Sequence, residues 1–207
     1  MDSANLYLDE IDFLQYLNKD DCVRCGFSTC HDFLQAIKTG VKTPHDCGFL
    51  NDNKAYALET VCNMKKLWPE VPLLLHPRPG QIGLVELNSP DFQSLLLISG
   101  NNEYTQEVLL TVLSTTVCPF FMLFVDTDGN TVDMAMVYQT LTSERIQQAL
   151  KESDAENRIG TRQMIIPGLA STLKDPIQIA TGWKVTVGPR CAAELPLFLS
   201  HIWIQPE

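Results

Sequence analysis

The chain has 207 residues, 45% of them hydrophobic and 19% charged, and a formal net charge of −10. That composition buries a core and excludes an intrinsically disordered chain. The acidic balance, with no Lys or Arg stripe, argues against a surface for nucleic-acid phosphates or anionic lipid.

The first residues, "MDSANLYLDEIDFLQYL", carry acids where a secretory leader needs a basic stretch and then an apolar one. No apolar run approaches the roughly 18 residues needed to span a bilayer, so the expectation is a soluble, cytoplasmic protein. Seven cysteines, an odd number, then point to metal ligands or buried thiols rather than a disulfide framework.

In chain order, "LDEIDFLQYLNK" places Ile11, Leu14 and Leu17 at helical spacing, and "HDFLQAIKTG" predicts a helix stopped at Gly40. A further helix is predicted over "DNKAYALETVCNMKKL". The following "WPEVPLLLHPRPGQIG" holds four prolines and two glycines and reads as an extended linker. Beyond it, "SLLLIS", "FFMLFV", "RQMIIP" and "GWKVTV" are runs of buried-strand length, while "YTQEVLLTVLS" and "SERIQQALKES" read as helices, the latter with Glu144 in its first turn. Alternating strands and helices predict an open, largely parallel, Rossmann-like α/β sheet. Ligands of such sheets lie beyond the carboxyl ends of the strands. The expected organisation is a mostly helical domain over 1–66, a proline-rich linker over 67–92 and an α/β domain over 93–207.

Cys22, Cys25, Cys30 and Cys47 follow the spacing C-x2-C-x4-C-x16-C. Gly26 eases a tight loop between the first ligands. Cys30 falls where a helix begins, and that positive end favours a thiolate. Four thiolates need an offsetting cation, supplied by zinc or by an iron–sulfur core. Zinc sites commonly pair two short knuckles, whereas here the second pair is spread over 16 intervening residues. The larger iron–sulfur cuboid accommodates a three-cysteine loop plus one distant ligand, which makes a 4Fe–4S cluster the expectation, with zinc as the alternative. His31 and His45 each lie beside a cluster cysteine.

The stretch "DCVRCGFSTCHDFLQAIKTGVKTPHDC" resembles the iron–sulfur domain of the corrinoid iron–sulfur protein large-subunit family, of the acetyl-CoA synthase/CO dehydrogenase pathway. The later segments agree: "LLLISGNNEYT", "FFMLFVDTDGNTV", "MIIPGLASTL" and "GWKVTVGPRCAAELPLFL" resemble successive parts of that family's corrinoid-binding domain. The resemblance implies a corrinoid held by Gly100, Asn101, Thr105, Pro167, Gly168, Leu169, Gly188, Pro189 and Arg190. Among these, Asn101 and Thr105 are placed to hydrogen-bond corrin amides, and Pro167 and Pro189 to stiffen the loops. It also implies a methyl carrier whose cluster returns Co(II) to Co(I), with a corrinoid-covering TIM-barrel subunit or methyltransferase and a redox partner. Two features depart from the family. A TIM-barrel domain separates the family's two regions where only the linker stands here, and the family's small Ala-Gly-Lys stretch reads "MAMVYQT". The second departure keeps open an iron–sulfur electron-transfer or interaction module without corrinoid.

Other motifs carry less. "DTDGNTVD" lacks the Gly and Glu positions of a calcium loop. No phosphate-binding glycine motif is present. Cys191 lies in the most cofactor-like loop, where a buried thiol and a lower cobalt ligand are both open.

Overall fold

The computed structural model describes residues 7–17, 25–72 and 77–206. Its centre is a five-stranded sheet in the order β1-β3-β2-β4-β5, formed by β1 (Gly83–Leu87), β2 (Leu95–Gly100), β3 (Phe120–Val125), β4 (Gln163–Ile166) and β5 (Lys184–Val187). The last four are mutually parallel, and β1 adds to β3 antiparallel, with Leu84 opposite Leu123 and Leu87 opposite Phe120. β3 is buried along its whole length, which is why "FFMLFV" shows no alternation of polar and apolar residues.

Period-2 geometry sorts the strand side chains into two cores. Phe121, Leu123 and Val125 point with Leu96, Ile98 and Met164 to one face. That face is covered by α4 (Val132–Val137), α5 (Ser143–Glu152), α6 (Ala155–Arg158) and α7 (Lys174–Thr181). Phe120, Met122 and Phe124 point with Leu97 and Ile165 to the other. There the cover is α1 (Cys30–Lys38), α2 (Asp52–Leu67), α3 (Glu103–Leu113), α8 (Leu195–Phe198) and the terminal Trp203. Ala57, Leu58 and Met64 of α2 are fully buried in this second core. The helical N-terminal region and the sheet therefore share one hydrophobic cluster. Tyr56 of α2 seals the contact by donating to the Thr115 carbonyl at 2.6 Å.

Local chemistry sets the helix ends. Asn51, Asn102 and Thr142 each accept a backbone N–H from the first turn of the following helix. α1 ends as expected at Gly40, which adopts φ +75°; the Gly40 N–H donates to the Ile37 carbonyl and the Val41 N–H to the Ala36 carbonyl. These paired bonds close the last turn and reverse the chain.

Two expectations need correction. "LDEIDFLQYLNK" forms not one helix but two 3-10 turns, Leu8–Glu10 and Phe13–Tyr16; its last two residues lie outside the described ones. The Asp12 carboxylate accepts the Leu14 N–H at 3.0 Å, a local bond that competes with helix propagation. The stretch 67–92 is also more than a linker, because it contains edge strand β1. Ahead of β1, residues Arg78–Gln81 are strapped across the ends of β2 and β3. Arg78 N–H donates to the Gly129 carbonyl at 2.8 Å, Gly80 N–H to the Asn101 carbonyl at 2.6 Å, and Glu103 N–H to the Arg78 carbonyl at 2.9 Å.

Among the described residues no helix is long and apolar enough to cross a membrane.

The strap gives a direct prediction. Gly129 has φ +73°, and a Cβ there would lie 2.4 Å from the Pro79 nitrogen. Gly129→Ala should release the strap while leaving the sheet folded. Amide exchange at Gly80 and Glu103 should accelerate at least tenfold, with strand β3 amides unchanged.

Candidate cofactor sites

The cysteine-rich segment is built from short local devices. Cys25 is half-buried ahead of Gly26. Cys30 opens α1 as expected, with the Thr29 hydroxyl capping the helix by accepting the Asp32 N–H at 3.0 Å. Cys47 closes a 3-10 turn, Pro44–Asp46, fixed by a capping box in which the Thr43 N–H donates to the Asp46 carboxylate at 2.7 Å. That bond is the main reason the Asp46 carboxyl is held below its ordinary pKa. Phe33 is buried beneath this segment, 5.8 Å from the Phe27 ring.

Cys22, the first expected ligand, lies outside the described residues. Among the described residues no group of three or more His, Cys, Asp or Glu side chains is close enough to hold a metal ion. His45 lies 4.0 Å from Glu59 on the surface.

The second site is a cavity of about 350 Å³ at the carboxyl ends of β2, β4 and β5. The chain leaves β2 towards β3 on one side, while β4 and β5 continue on the other, so the cavity sits where the direction of winding reverses. Its floor is apolar, with Leu97, Ile98, Leu109 and Met122. Polar groups, among them Asn102, Thr105, Asp133 and Arg190, also line it.

Of the residues expected to touch a corrinoid, Thr105, Pro167, Leu169, Gly188, Pro189 and Arg190 line this cavity. Gly100, Asn101 and Gly168 do not line it; they hold the loops together. The Asn101 carboxamide oxygen accepts from the Thr127 N–H at 2.8 Å, the Thr127 hydroxyl at 3.0 Å and the Gly129 N–H at 3.2 Å. A Cβ on Gly100 would lie 2.8 Å from the Thr127 hydroxyl oxygen, and one on Gly168 would lie 2.8 Å from both the Arg190 nitrogen and the Gly188 carbonyl oxygen. These two glycines serve packing between neighbouring loops.

Sequence reasoning missed Asn102 as a wall residue. Its side chain caps α3 by accepting the Thr105 N–H at 3.1 Å and donates to the Gly129 carbonyl at 2.8 Å. The N-cap signal ahead of "EYTQEVLL" was available. The sequence also gave no hint that Tyr7, Trp68 and Val71 line the same cavity.

Cys191 lines the cavity and is buried, and burial pushes its thiol up to about 11. At neutral pH it is a small, uncharged wall residue. Nearby, the buried Glu194 carboxylate accepts from the Gln15 amide at 2.8 Å and the Tyr16 hydroxyl at 2.7 Å. This joins the N-terminal turns to the loop after β5. Arg190 lies 5.5 Å over the Tyr7 ring and adds a cation–π contact between the same two segments.

Two outcomes follow. Asn101→Ala strands the buried Thr127 and Gly129 amides and should cost about 2–5 kcal/mol in urea unfolding. Iodoacetamide should label Cys191 slowly at pH 8, with the rate climbing towards pH 11 as the thiolate forms. Because an unfolded thiol ionises near pH 8.5, the unfolded chain releases its proton first above that pH. This group's contribution to stability therefore falls from about pH 8.5 to pH 11, which urea midpoints at pH 8 and pH 10 would show.

Comparison with known proteins places these features. A family model described as "CO dehydrogenase/acetyl-CoA synthase delta subunit" matches residues 68–199, and one described as "Putative Fe-S cluster" matches residues 17–49. The chain is similar to the acetyl-CoA decarbonylase/synthase complex subunit gamma of Methanopyrus kandleri, at 31% identity over 123 residues, covering 59% of this chain and 27% of that protein. It is similar to the corrinoid/iron-sulfur protein large subunit of Moorella thermoacetica, at 30% identity over 169 residues, covering 81% of this chain and 37% of that protein. It is also similar to the gamma subunit of Methanothermobacter thermautotrophicus, at 30% identity over 134 residues, covering 65% and 28% respectively. The chain thus spans between 27% and 37% of the length of these relatives. The delta-subunit match runs through the strap, all five strands and every cavity-lining segment except that of Tyr7, and the chain belongs to the CO dehydrogenase/acetyl-CoA synthase delta subunit family.

Proposed function

We propose that this chain is a corrinoid iron–sulfur protein that carries a methyl group and holds a 4Fe–4S cluster as its internal electron donor. The observation that supports this best is the apolar cavity at the strand ends, walled by six of the residues expected to meet a corrinoid. The cysteine-rich helices pack into the hydrophobic cluster under the same face of the sheet. It is a methyl-carrying and electron-transfer component of a methyltransferase system rather than a stand-alone enzyme.

The residues fit the group. A corrinoid is a broad macrocycle with apolar faces and an amide-bearing rim. Leu97, Leu109, Met122 and Leu169 offer it apolar surface, and Asn102, Thr105 and Arg190 offer polar partners. A cavity of about 350 Å³ accepts a face of such a molecule and leaves the remainder to a partner. When bound, the corrinoid supplies cobalt that accepts and passes on a methyl group, and the cluster supplies the single electron that returns Co(II) to Co(I).

The chain's own contribution is positional. Cys22, Cys25, Cys30 and Cys47 would hold the cluster, the three described cysteines drawing together around it when it is bound. Pro167 and Pro189 keep the loops after β4 and β5 stiff, and the apolar floor excludes water from the bound face. A TIM-barrel subunit or methyltransferase facing the open side, and a redox partner for the cluster, complete the system. Neither nucleic acid nor membrane is involved.

A second reading is an iron–sulfur electron-transfer module without corrinoid. It is favoured by Met134, which lines the cavity where the resembled family has small residues. Anaerobic expression in a cobalamin-supplied host, followed by metal analysis, separates the two. The proposal predicts about four iron atoms per chain together with cobalt, and loss of most of the iron in Cys25→Ser and Cys47→Ser. Iron without cobalt would favour the second reading, and zinc without either metal would reject both.

A further inference from the structure

Charge is placed unevenly around the cavity. Among the described residues that line it, Arg190 is the one cation and Asp133 the one acid. They stand on different walls, Arg190 in the loop after β5 and Asp133 in α4. The Asp133 carboxylate already accepts from the Thr131 hydroxyl. The exposed Arg190 guanidinium makes no ion pair and no hydrogen bond with a described residue, whereas Arg78, Arg145 and Arg158 each meet a carboxylate. What holds Arg190 in place is the Tyr7 ring, itself part of the cavity wall, 5.5 Å from the guanidinium carbon. A ring face occupies none of the guanidinium N–H donors as an acceptor oxygen would, and those donors form a fork that matches the oxygens of a phosphate or carboxylate. The backbone beside it is fixed as well, because the Gly168 N–H donates to the Pro189 carbonyl at 2.8 Å.

We infer that Arg190 is a specificity-determining residue that selects an anionic group on the bound ligand. This rests on the corrinoid reading above and narrows it. The rim of a complete corrinoid carries neutral amides, and its ionised group is the phosphodiester that joins the macrocycle to its nucleotide. Arg190 binds that phosphodiester, while the like charge of Asp133 disfavours it beside α4. The two residues together orient the ligand, with its nucleotide tail on the side of the loop after β5. The site therefore distinguishes a complete corrinoid from cobinamide, the macrocycle that lacks the nucleotide and its phosphodiester.

The experiment measures hydroxocobalamin and cobinamide binding by equilibrium dialysis to the anaerobically purified full chain, as wild type, Arg190→Gln and Arg190→Lys. Comparing proteins ligand by ligand cancels the other differences between the two corrinoids. Arg190→Gln should bind hydroxocobalamin about twentyfold more weakly, the loss expected of a charge-assisted contact, with cobinamide binding unchanged. Arg190→Lys keeps the charge but not the fork and should fall between wild type and Arg190→Gln. Added salt should weaken wild-type binding of hydroxocobalamin and not of cobinamide. An equal loss for both ligands would mark Arg190 as a structural residue and overturn the inference, as would no loss for either; the corrinoid reading survives both results. Failure of wild type to bind either ligand would overturn the corrinoid reading and the inference with it.

Discussion

Everything in this structure follows from a parallel sheet that has to be covered on both faces. Strand β3 buries all six of its residues, and a strand of that kind is stable only between two apolar layers. The helices α4 to α7 supply one layer. The β2–α3–β3 crossover and the C-terminal α8 cover only part of the other, and the N-terminal helices complete it. Ala57, Leu58 and Met64 of α2 lie fully buried there against the same cluster as Phe120 and Met122. The cysteine-rich segment is therefore held beside the sheet by the hydrophobic effect, with an apolar interface that α2 itself requires.

That constraint also builds the cavity. Parallel strands end together, and their outgoing loops diverge where the winding reverses. Those loops are fixed by polar bonds made within themselves: Asn101 to Thr127 and Gly129, Asn102 to Gly129, and the strap of Arg78 and Gly80 across both. With their polar groups satisfied internally, the loops leave a mostly apolar hollow. The side facing the N-terminal helices is closed by Tyr7, Trp68 and Val71.

Elements with a local physical signature were legible in the sequence. β2 and β3 are near-continuous apolar runs, α2 spans the stretch read as a helix, and Gly40 ends α1 with the paired bonds expected of a left-handed stop. What escaped notice depended on contacts distant in sequence. β1 exists because "GLVEL" finds the free edge of β3, a pairing hidden behind a proline-rich stretch. The segment from Leu8 to Tyr16 gives up a helix because Asp12 captures a backbone donor and Glu194, about 180 positions away, fixes Gln15 and Tyr16. At the site, the loops after β4 and β5 line the cavity, where the strand ends of an open α/β sheet lead a reader to look. Gly100, Asn101 and Gly168 were assigned to ligand although they serve the scaffold, since a glycine needed for close packing looks the same in sequence as one needed for cofactor approach. Trp68 was invisible because its relation to the cavity exists only once α2 has docked.

The proposed function requires the cluster and the corrinoid to act on each other within one chain. The most direct test follows the cobalt spectrum of anaerobic protein carrying both groups as a low-potential reductant is added. The account predicts that Co(I) absorption appears in wild type and is lost or greatly slowed in Cys47→Ser loaded with the same corrinoid. Equal rates of Co(I) formation in the two proteins would contradict it.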